Sequence, residues 1–230
     1  MALPILTIGN KNYSSWSMRP WLALKWAGIA FEERVIPLGP RGMGPNPDIL
    51  AVSPSGTVPV LELADGTKIW DTLSICEWAH EQAPDAGLWP KDAIARALAR
   101  SATCEMHSGF AAVRQTFPMN LARVKTGHEW SDTAQAQIQR IDDLLCGLKA
   151  QFGSANSPFI MGHRSIVDAF YAPVATRFRT YQVPVSASLQ AWCEAIFQDP
   201  DFTAWDHAAQ LETWTIPDRV TSYLVLHRTF

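Results

Sequence analysis

A hydroxyl-rich segment near the start of the chain is the part of the sequence best placed to do chemistry. The segment Asn12–Arg19 reads Asn-Tyr-Ser-Ser-Trp-Ser-Met-Arg and lies between a predicted strand and a predicted helix. A helix N-terminus presents unpaired N–H groups and the positive end of the helix dipole, so hydroxyl donors there favour binding of an anion or a thiolate. Serine is also a preferred N-cap residue, and these serines could serve only to cap the helix.

Two further segments could add polar contacts to the same site. The pair Val58-Pro59 opens a predicted strand, where a cis peptide would turn the preceding backbone N–H and C=O towards a ligand. The pair Asp71-Thr72 stands at the predicted start of a helix, where carboxylate, hydroxyl and backbone N–H could hold an amino-acid-like head group. Plain N-capping is the alternative for this pair too.

A strand–helix–strand pattern positions the serines. Pro4–Ile8 is a short apolar run that predicts a buried strand, and Phe31–Leu38 predicts a second one. Residues 17–27 show helical apolar spacing, and because proline is tolerated in the first turn of a helix, Pro20 predicts a start near Ser17. Two strands joined in this way are expected to pair in parallel.

A hairpin and another helix complete the first part of the chain. After a loop rich in glycine and proline at residues 39–47, Val58–Leu63 and Lys68–Trp70 flank a turn and predict antiparallel strands. A helical pattern begins directly after Asp71. The predicted order is therefore βαβ followed by ββα.

The second part of the chain is predicted to be all helical. Its helical segments are residues 91–117, 132–152, 165–180, 187–198 and 201–212, and one further strand is predicted at Ser222–Phe230. The economical interpretation is a small α/β domain at residues 1–83 and a helical domain at residues 89–230.

Composition excludes several classes of protein. The 230 residues are 47% hydrophobic and carry a net charge of −3 without a basic block, which predicts a globular protein that does not bind nucleic acid. Uncharged stretches are shorter than the roughly 20 residues of a membrane span. The N-terminus lacks the pattern of a secretory signal, so a cytoplasmic protein is expected. The four cysteines form no C-x-x-C pair, and neither a metal nor dithiol chemistry is predicted.

In their order and spacing, these segments resemble the glutathione transferase superfamily. The family's cis-proline would fall at Val58-Pro59 and its acidic-or-Gln plus Ser/Thr pair at Asp71-Thr72. Phe159–Asp168 is similar to the family's buried Ser-x-x-Asp capping box, which follows a Phe-x-x-Gly turn. The resemblance implies a thioredoxin-like α/β domain at residues 1–83 and an all-α bundle at residues 89–230.

The first motif is similar to one class within that superfamily. Ser14–Arg19 resembles the Ser-Ser-Cys-Ser-x-Arg signature of the zeta class, whose members include maleylacetoacetate isomerases. Trp16 stands in place of the cysteine, and Glu105–Phe110 is more like a bacterial group of transferases. No cysteine precedes Cys76, which disfavours the members that form mixed disulfides with glutathione.

The resemblance implies a serine-activated glutathione thiolate. A free thiol has a pKa near 8.5, so only a few per cent is thiolate at pH 7. Ser14 would donate a hydrogen bond to the glutathione sulfur, and Ser15, in the same loop, is the alternative. A shift of about two pKa units corresponds to about 2.7 kcal/mol of thiolate stabilisation.

The remaining glutathione contacts follow from the same resemblance. Val58, before Pro59, would pair with the cysteinyl backbone through its main chain. Asp71 and Thr72 would hold the γ-glutamyl group. Arg41 is a candidate for the glycyl carboxylate, or else a solvated loop arginine.

A pocket for the electrophile is expected on the first helix of the second domain. Met106, His107, Phe110 and Arg114 would face it, with Trp16 as an apolar wall. His107 could instead be an ordinary helix histidine, and Arg114 could pair with an acidic substrate or with a carboxylate between the domains.

Three functions remain open from the sequence. The first is addition of glutathione to a small electrophile by a homodimer. The second is glutathione-dependent cis–trans isomerisation, with Arg114 or Arg177 holding substrate carboxylates. The third is a non-catalytic module that binds glutathione or a protein, in which Trp16 fills the second pocket. The tail Thr221–Phe230 could cover the pocket or contact a partner subunit.

Overall fold

The computed structural model describes residues 2–39 and 45–216 of the chain. The loop arginine Arg41 and the strand predicted at Ser222–Phe230 lie outside the described residues. Within the described ranges, a four-stranded sheet with helices is followed by a helical region.

The sheet has the predicted thioredoxin-like topology. Its strands are β1 (Ile5–Ile8), β2 (Glu32–Val35), β3 (Val60–Glu62) and β4 (Lys68–Ile69), in the spatial order β2-β1-β3-β4. β1 pairs with β2 in parallel and with β3 antiparallel, and β3 pairs with β4 antiparallel. The parallel unit and the hairpin predicted from the sequence are both confirmed.

In the described part of the chain, three α-helices accompany the sheet: α1 (Ser15–Trp26), α2 (Pro47–Val52) and α3 (Thr72–Gln82). The sequence prediction missed α2, because this helix has only 6 residues and follows a loop rich in glycine and proline. Its start nevertheless carries a local signal, since Asn46 caps it through a bond from Asp48 N–H and Pro47 occupies the first turn.

α1 begins two residues earlier than the position of Pro20 suggested. Pro20 therefore lies inside the helix, where it has no N–H to donate to the carbonyl of Trp16 four residues before. The hydroxyl of Thr72 donates to Trp16 O at 3.1 Å and satisfies that carbonyl. A side chain from α3 thus compensates for the missing backbone bond.

The helical part contains α4 (Ala93–Ser108), α5 (Ala111–Thr116), α6 (Asp132–Phe152), α7 (Ile166–Tyr181), α8 (Ala187–Gln198) and α9 (Pro200–Leu211). The last four match the predicted segments within two residues. The predicted helix at 91–117 is instead two helices, because Gly109 ends α4 and Phe110 adopts a left-handed conformation with φ of 52°. A division into domains at residues 83 and 89 stays a prediction.

α7 is the central helix of the helical part and is buried along nearly its whole length. The predicted capping box is present: Ser165 Oγ accepts from Asp168 N–H, and Asp168 Oδ2 accepts from Ser165 N–H at 3.0 Å. Asp168 Oδ1 also accepts from Ile160 N–H at 3.0 Å and from Trp192 Nε1–H at 2.9 Å. Burial raises the pKa of Asp168, and these donors oppose the shift.

None of the helices within residues 2–39 and 45–216 is both long enough and apolar enough to cross a membrane.

Candidate active site

A cleft of about 650 Å³ lies where the sheet-bearing part meets the helical part. The first part contributes the α1 N-terminus and the segment before β3, and the second contributes α5, the chain after it, and α7. Its lining residues are Tyr13–Trp16, Leu38, Ile49, Gly56–Val58, Ala111, Arg114, Gln115, Pro118, Met119 and Arg177.

Ser14 lies at the junction of the cleft and the N-terminus of α1. It is the N-cap residue, and its Oγ accepts from Ser17 N–H at 3.4 Å. The two hydroxyl oxygens, Ser14 Oγ and Ser17 Oγ, are 2.7 Å apart, and Ser17 Oγ accepts from Gly9 N–H at 3.1 Å. If the Ser17 hydroxyl donates this hydrogen bond and Ser14 Oγ accepts it, the hydroxyl hydrogen of Ser14 can point into the cleft.

Ser17 is a residue that the sequence prediction did not assign to the site. Its signal is the spacing, since it follows the cap residue by three positions, where side chains commonly reach back to the N-cap. Ser17 is fully buried, so it acts on the cleft only through Ser14.

Ser15, the first residue of α1, also lines the cleft. Its Oγ accepts from Arg177 Nη2–H at 3.1 Å, and Arg177 also donates to the carbonyl of Phe117. The sequence prediction gave Arg177 only to the isomerase alternative. Local patterns could not connect it to Ser15, because the two residues are 162 positions apart.

Cations surround this end of the cleft. Arg19 is buried, donates from Nε to Phe170 O at 3.0 Å, and lies 4.2 Å from the centre of the Trp16 ring. Burial and the neighbouring guanidinium groups of Arg177 and Arg114 lower the pKa of Arg19 to about 9, so it remains a cation at neutral pH. The first turn of α1 contains no acidic residue. The local charges and the helix dipole therefore both favour an anion.

Trp16 lines the cleft and is held from several sides. Its ring faces the Arg19 guanidinium, lies 5.5 Å from that of Arg114, and meets the edge of His107 with the ring centres 5.2 Å apart. A tryptophan face attracts cations, so these contacts fix the indole in place.

The segment before β3 also lines the cleft. The Val58-Pro59 peptide is cis, as the resemblance predicted, and Val58 lines the cleft while Pro59 is buried. The hydroxyls of Ser53, Ser55 and Thr57 form a chain with spacings of 3.1 and 2.8 Å, and Thr57 reaches the lining.

Asp71 and Thr72 begin α3, as predicted, but their side chains are outside the cleft lining. Asp71 Oδ1 accepts from Leu73 N–H at 3.0 Å, and its Oδ2 is 2.5 Å from Nε2 of His107. Thr72 is buried and donates its hydroxyl to Trp16 O. Both side chains therefore already have partners.

The prediction for the electrophile pocket needs correction at three residues. Met106 is fully buried in the core, Phe110 is buried with its ring against Tyr171, and His107 contacts Asp71 rather than the cleft. Met106 and His107 precede the break at Gly109-Phe110 and belong to a part of α4 that packs into the core and against Asp71, whereas the break changes the direction of the chain only from Phe110 onwards. Arg114, beyond the break, does line the cleft, with Ala111 and Gln115 of α5.

The described residues contain no group of three or more His, Cys, Asp or Glu side chains that could hold a metal ion.

Comparisons with known proteins identify a family and several relatives that are similar to this chain. Residues 13–82 match the family described as glutathione S-transferase, N-terminal domain. A probable maleylacetoacetate isomerase from Caenorhabditis elegans is 32% identical over 46% of this chain and 47% of its own length. The glutathione S-transferase GstA of Escherichia coli O157:H7 is 29% identical over 54% of this chain and 60% of its own length. The matched part thus spans about half the length of these curated relatives.

A solved structure extends the likeness to the fold. The theta class glutathione S-transferase from Xanthomonas axonopodis pv. citri, with glutathione bound, superposes with a TM-score of 0.63. It is 24% identical, and the match covers 89% of this chain and 97% of that chain.

Proposed function

We propose that this chain, which belongs to the glutathione transferase superfamily by its N-terminal sequence, activates glutathione through Ser14. Ser14 donates a hydrogen bond to the glutathione sulfur and stabilises the thiolate, which then adds to a small electrophile in the cleft. The observation that carries the proposal is the hydroxyl chain from Gly9 N–H through Ser17 to Ser14, which can direct the Ser14 proton into the cleft.

The electrostatics of the cleft support a thiolate at this position. A free thiol at pH 7 is only a few per cent ionised, and the thiolate is the nucleophile. The helix dipole of α1, the Ser14 hydroxyl and the Arg177 guanidinium all stabilise negative charge there. Ser15 is the alternative donor, and its contact with Arg177 makes it the residue that orients this cation.

We propose that the rest of glutathione lies along the segment before β3 and the start of α3. Val58 pairs with the cysteinyl backbone through its main chain. The half-exposed carboxylate of Asp71 pairs with the γ-glutamyl ammonium at the edge of the cleft, in addition to its contact with His107. Thr72 contributes its backbone N–H, because its hydroxyl already donates to Trp16 O. Arg41 is proposed for the glycyl carboxylate.

Glutathione-dependent isomerisation is the second candidate, and the two arginines of the cleft favour it. Arg114 and Arg177 both line the cleft and could hold the carboxylates of an acidic substrate. The thiolate would add to a conjugated double bond, the bond would rotate, and elimination would return glutathione unchanged. Turnover of maleylacetone without net loss of glutathione distinguishes this reaction from conjugation, and a flat absorbance trace rejects it.

The direct test of the serine is the ultraviolet difference spectrum of bound glutathione between pH 5 and 9. In the wild-type protein we expect thiolate absorbance well below the pKa of the free thiol, and in Ser14→Ala we expect this early titration to be lost. Ser15→Ala locates the donor, and Ser101→Ala, at an exposed serine of α4, is the matched control. Glutathione that titrates like the free thiol in the wild-type protein would refute the proposal.

The third possibility, a non-catalytic binding module, is tested at Trp16. A wall that helps to bind the electrophile predicts lower activity in Trp16→Ala, because the apolar contact is lost. Higher activity in this variant would mean that the indole blocks the second pocket. The wild-type protein would then bind glutathione without catalysing its reaction with an electrophile.

We also propose a homodimer in the cytoplasm. Ile94 and Leu98 lie one turn apart on α4 and are 65% and 38% exposed, and an apolar face of this kind suits a second copy of the chain. The four cysteines are free thiols, as a reducing compartment would keep them. Sedimentation equilibrium of the wild-type protein and of Leu98→Glu tests the assembly, because a charge on this face should favour the monomer.

A further inference from the structure

The loop that carries Ser14 is held by a carboxylate from the far end of the described chain. Glu212, directly after α9, accepts from Lys11 N–H through Oε1 at 2.6 Å and from Asn12 N–H through Oε2 at 3.1 Å. Two consecutive backbone donors of the loop thus bind the two oxygens of one side chain, about 200 residues away in sequence.

The loop's internal bonds do not involve these two donors. Tyr13 N–H and Ser14 N–H both donate to Asn10 O, at 3.1 and 2.8 Å, and form the turn that leads into α1. Lys11 and Asn12 lie inside that turn and are largely buried. Buried N–H groups require an acceptor, and Glu212 supplies one for each of them.

Neutral contacts fix the same loop to the helical part. Asn12 Oδ1 accepts from Leu121 N–H at 2.7 Å and from Ala122 N–H at 3.1 Å. Trp205 donates from Nε1 to Lys11 O at 3.1 Å. Glu212 is the anionic member of this set, and a charged acceptor makes stronger bonds than a neutral one.

The charges around Glu212 are compatible with an ionised carboxylate. Burial raises the pKa of Glu212, and the two N–H donors together with the Lys11 ammonium oppose the shift. Lys11 itself pairs with Glu33, with Nζ and Oε2 2.5 Å apart, and lies over the rings of Trp21 and Trp205. The bonds to the loop therefore offset part of the cost of burying this side chain.

We propose that Glu212 is a positioning residue for Ser14, which it acts on by fixing the backbone of Lys11 and Asn12. Ser14 is two residues further along the same turn, so a displacement of that backbone moves the Ser14 hydroxyl. A shift of about 1 Å in a reacting group can cost up to about 100-fold in rate. The effect on chemistry rests on the function proposed above, whereas the effect on the loop does not.

The first test measures the loop directly by amide hydrogen exchange in Glu212→Gln. Glutamine has one acceptor oxygen and turns an NH₂ group towards the other donor, so we expect the exchange of Lys11 and Asn12 to quicken at least about tenfold. Exchange at Ser17, whose N–H binds Ser14 Oγ, should quicken with them. Amides in the buried helix α7 should not change, which separates loop opening from global unfolding.

The second test measures the ionisation of the sulfur of bound glutathione and the rate of the reaction. In Glu212→Gln we expect the thiolate of bound glutathione to appear at higher pH than in the wild-type protein, and kcat/KM to fall between about 10- and 100-fold. Glu194→Gln is the matched control, because Glu194 bonds only along the exposed face of α8 to Gln190 in the described contacts. This control should titrate and react as the wild-type protein does.

The outcomes separate the two proposals. Unchanged exchange at Lys11, Asn12 and Ser17 would overturn the positioning role, and so would faster exchange with an unchanged thiolate titration. A wild-type protein that does not lower the pKa of glutathione would refute the proposed function instead. In that case the Ser17 amide alone decides whether Glu212 positions Ser14.

Discussion

Helices α1 and α7 begin with the same arrangement of residues and differ in what completes it. Ser14 and Ser165 are the N-caps, and the side chain three positions later reaches back to the cap in both helices. In α7 that side chain is the carboxylate of Asp168, which accepts four hydrogen bonds from surrounding donors. In α1 it is the hydroxyl of Ser17, which contributes no charge.

The difference decides what each helix terminus can do. The carboxylate of Asp168 already occupies the positive end of the α7 dipole, within the protein interior. The α1 terminus has no acid in its first turn and borders the cleft, so its dipole remains available to an anion from outside. The same cap thus serves folding at α7 and, under the proposed function, chemistry at α1.

Of the variants that test the difference between the two helix termini, Asp168→Ala is expected to have the largest effect, which is on stability. The substitution leaves the N–H groups of Ile160, Ser165 and Trp192 without their acceptor in the core, so we expect the free energy of unfolding to fall by at least about 3 kcal/mol. Denaturant unfolding followed by circular dichroism measures the loss. Asp143→Ala, at an exposed carboxylate of α6, should cost less than about 0.5 kcal/mol.

Ser14→Ala should lower activity strongly and stability only slightly, the reverse of what is expected for Asp168→Ala. Removing the donor to a developing or bound anion costs about 100-fold in rate, so we expect kcat/KM for glutathione conjugation to fall by about that factor. The cap bond from Ser17 N–H is long, at 3.4 Å, so the free energy of unfolding should fall by about 1 kcal/mol or less. A loss of stability as large as that of Asp168→Ala would remove the distinction between the two termini.

Ser165→Ala is expected to reduce stability and leave the sulfur chemistry unchanged. The variant loses the cap and one donor to Asp168, which together should cost about 1–2 kcal/mol in the free energy of unfolding. Because Ser165 is outside the cleft lining and Arg177, which contacts Ser15, lies three turns further along α7, the pH titration of bound glutathione should match that of the wild-type protein. A shifted titration would show that the two termini are coupled.

The smallest expected effect is that of Ser17→Ala. Its hydroxyl orients the Ser14 proton without touching the ligand, so we expect kcat/KM to fall about three- to tenfold, as for the loss of one neutral hydrogen bond of about 1 kcal/mol. KM for glutathione should change little, since Ser17 is fully buried. A loss equal to that of Ser14→Ala would indicate that Ser17 itself supplies the proton.

Patterns along the sequence predicted most of the fold for a physical reason. Strand and helix periodicity reflect which side of an element is buried, and this held for the sheet, for α3 and for α6 to α9. The failures came where backbone conformation overrides periodicity: the short α2, the left-handed Phe110, and Pro20 inside α1.

Local patterns predicted the position of Ser14 and Ser15 at a helix start, but not the residues that surround them. Ser14 and Ser15 stand out because strand, turn and helix start follow one another within a few residues. The contacts of Asp71 with His107 and of Ser15 with Arg177 span 36 and 162 positions. Such contacts depend on how the two parts of the chain pack, and no local pattern encodes that packing.

The hydroxyl bond from Thr72 to Trp16 O has an evolutionary consequence. A lineage that replaced Pro20 by a residue with an N–H would restore the backbone bond inside α1, and position 72 would lose the reason to keep its hydroxyl. Proline at 20 and Ser or Thr at 72 should therefore be inherited together among relatives. Where one is lost, the other becomes free to drift, although more than fifty residues separate them.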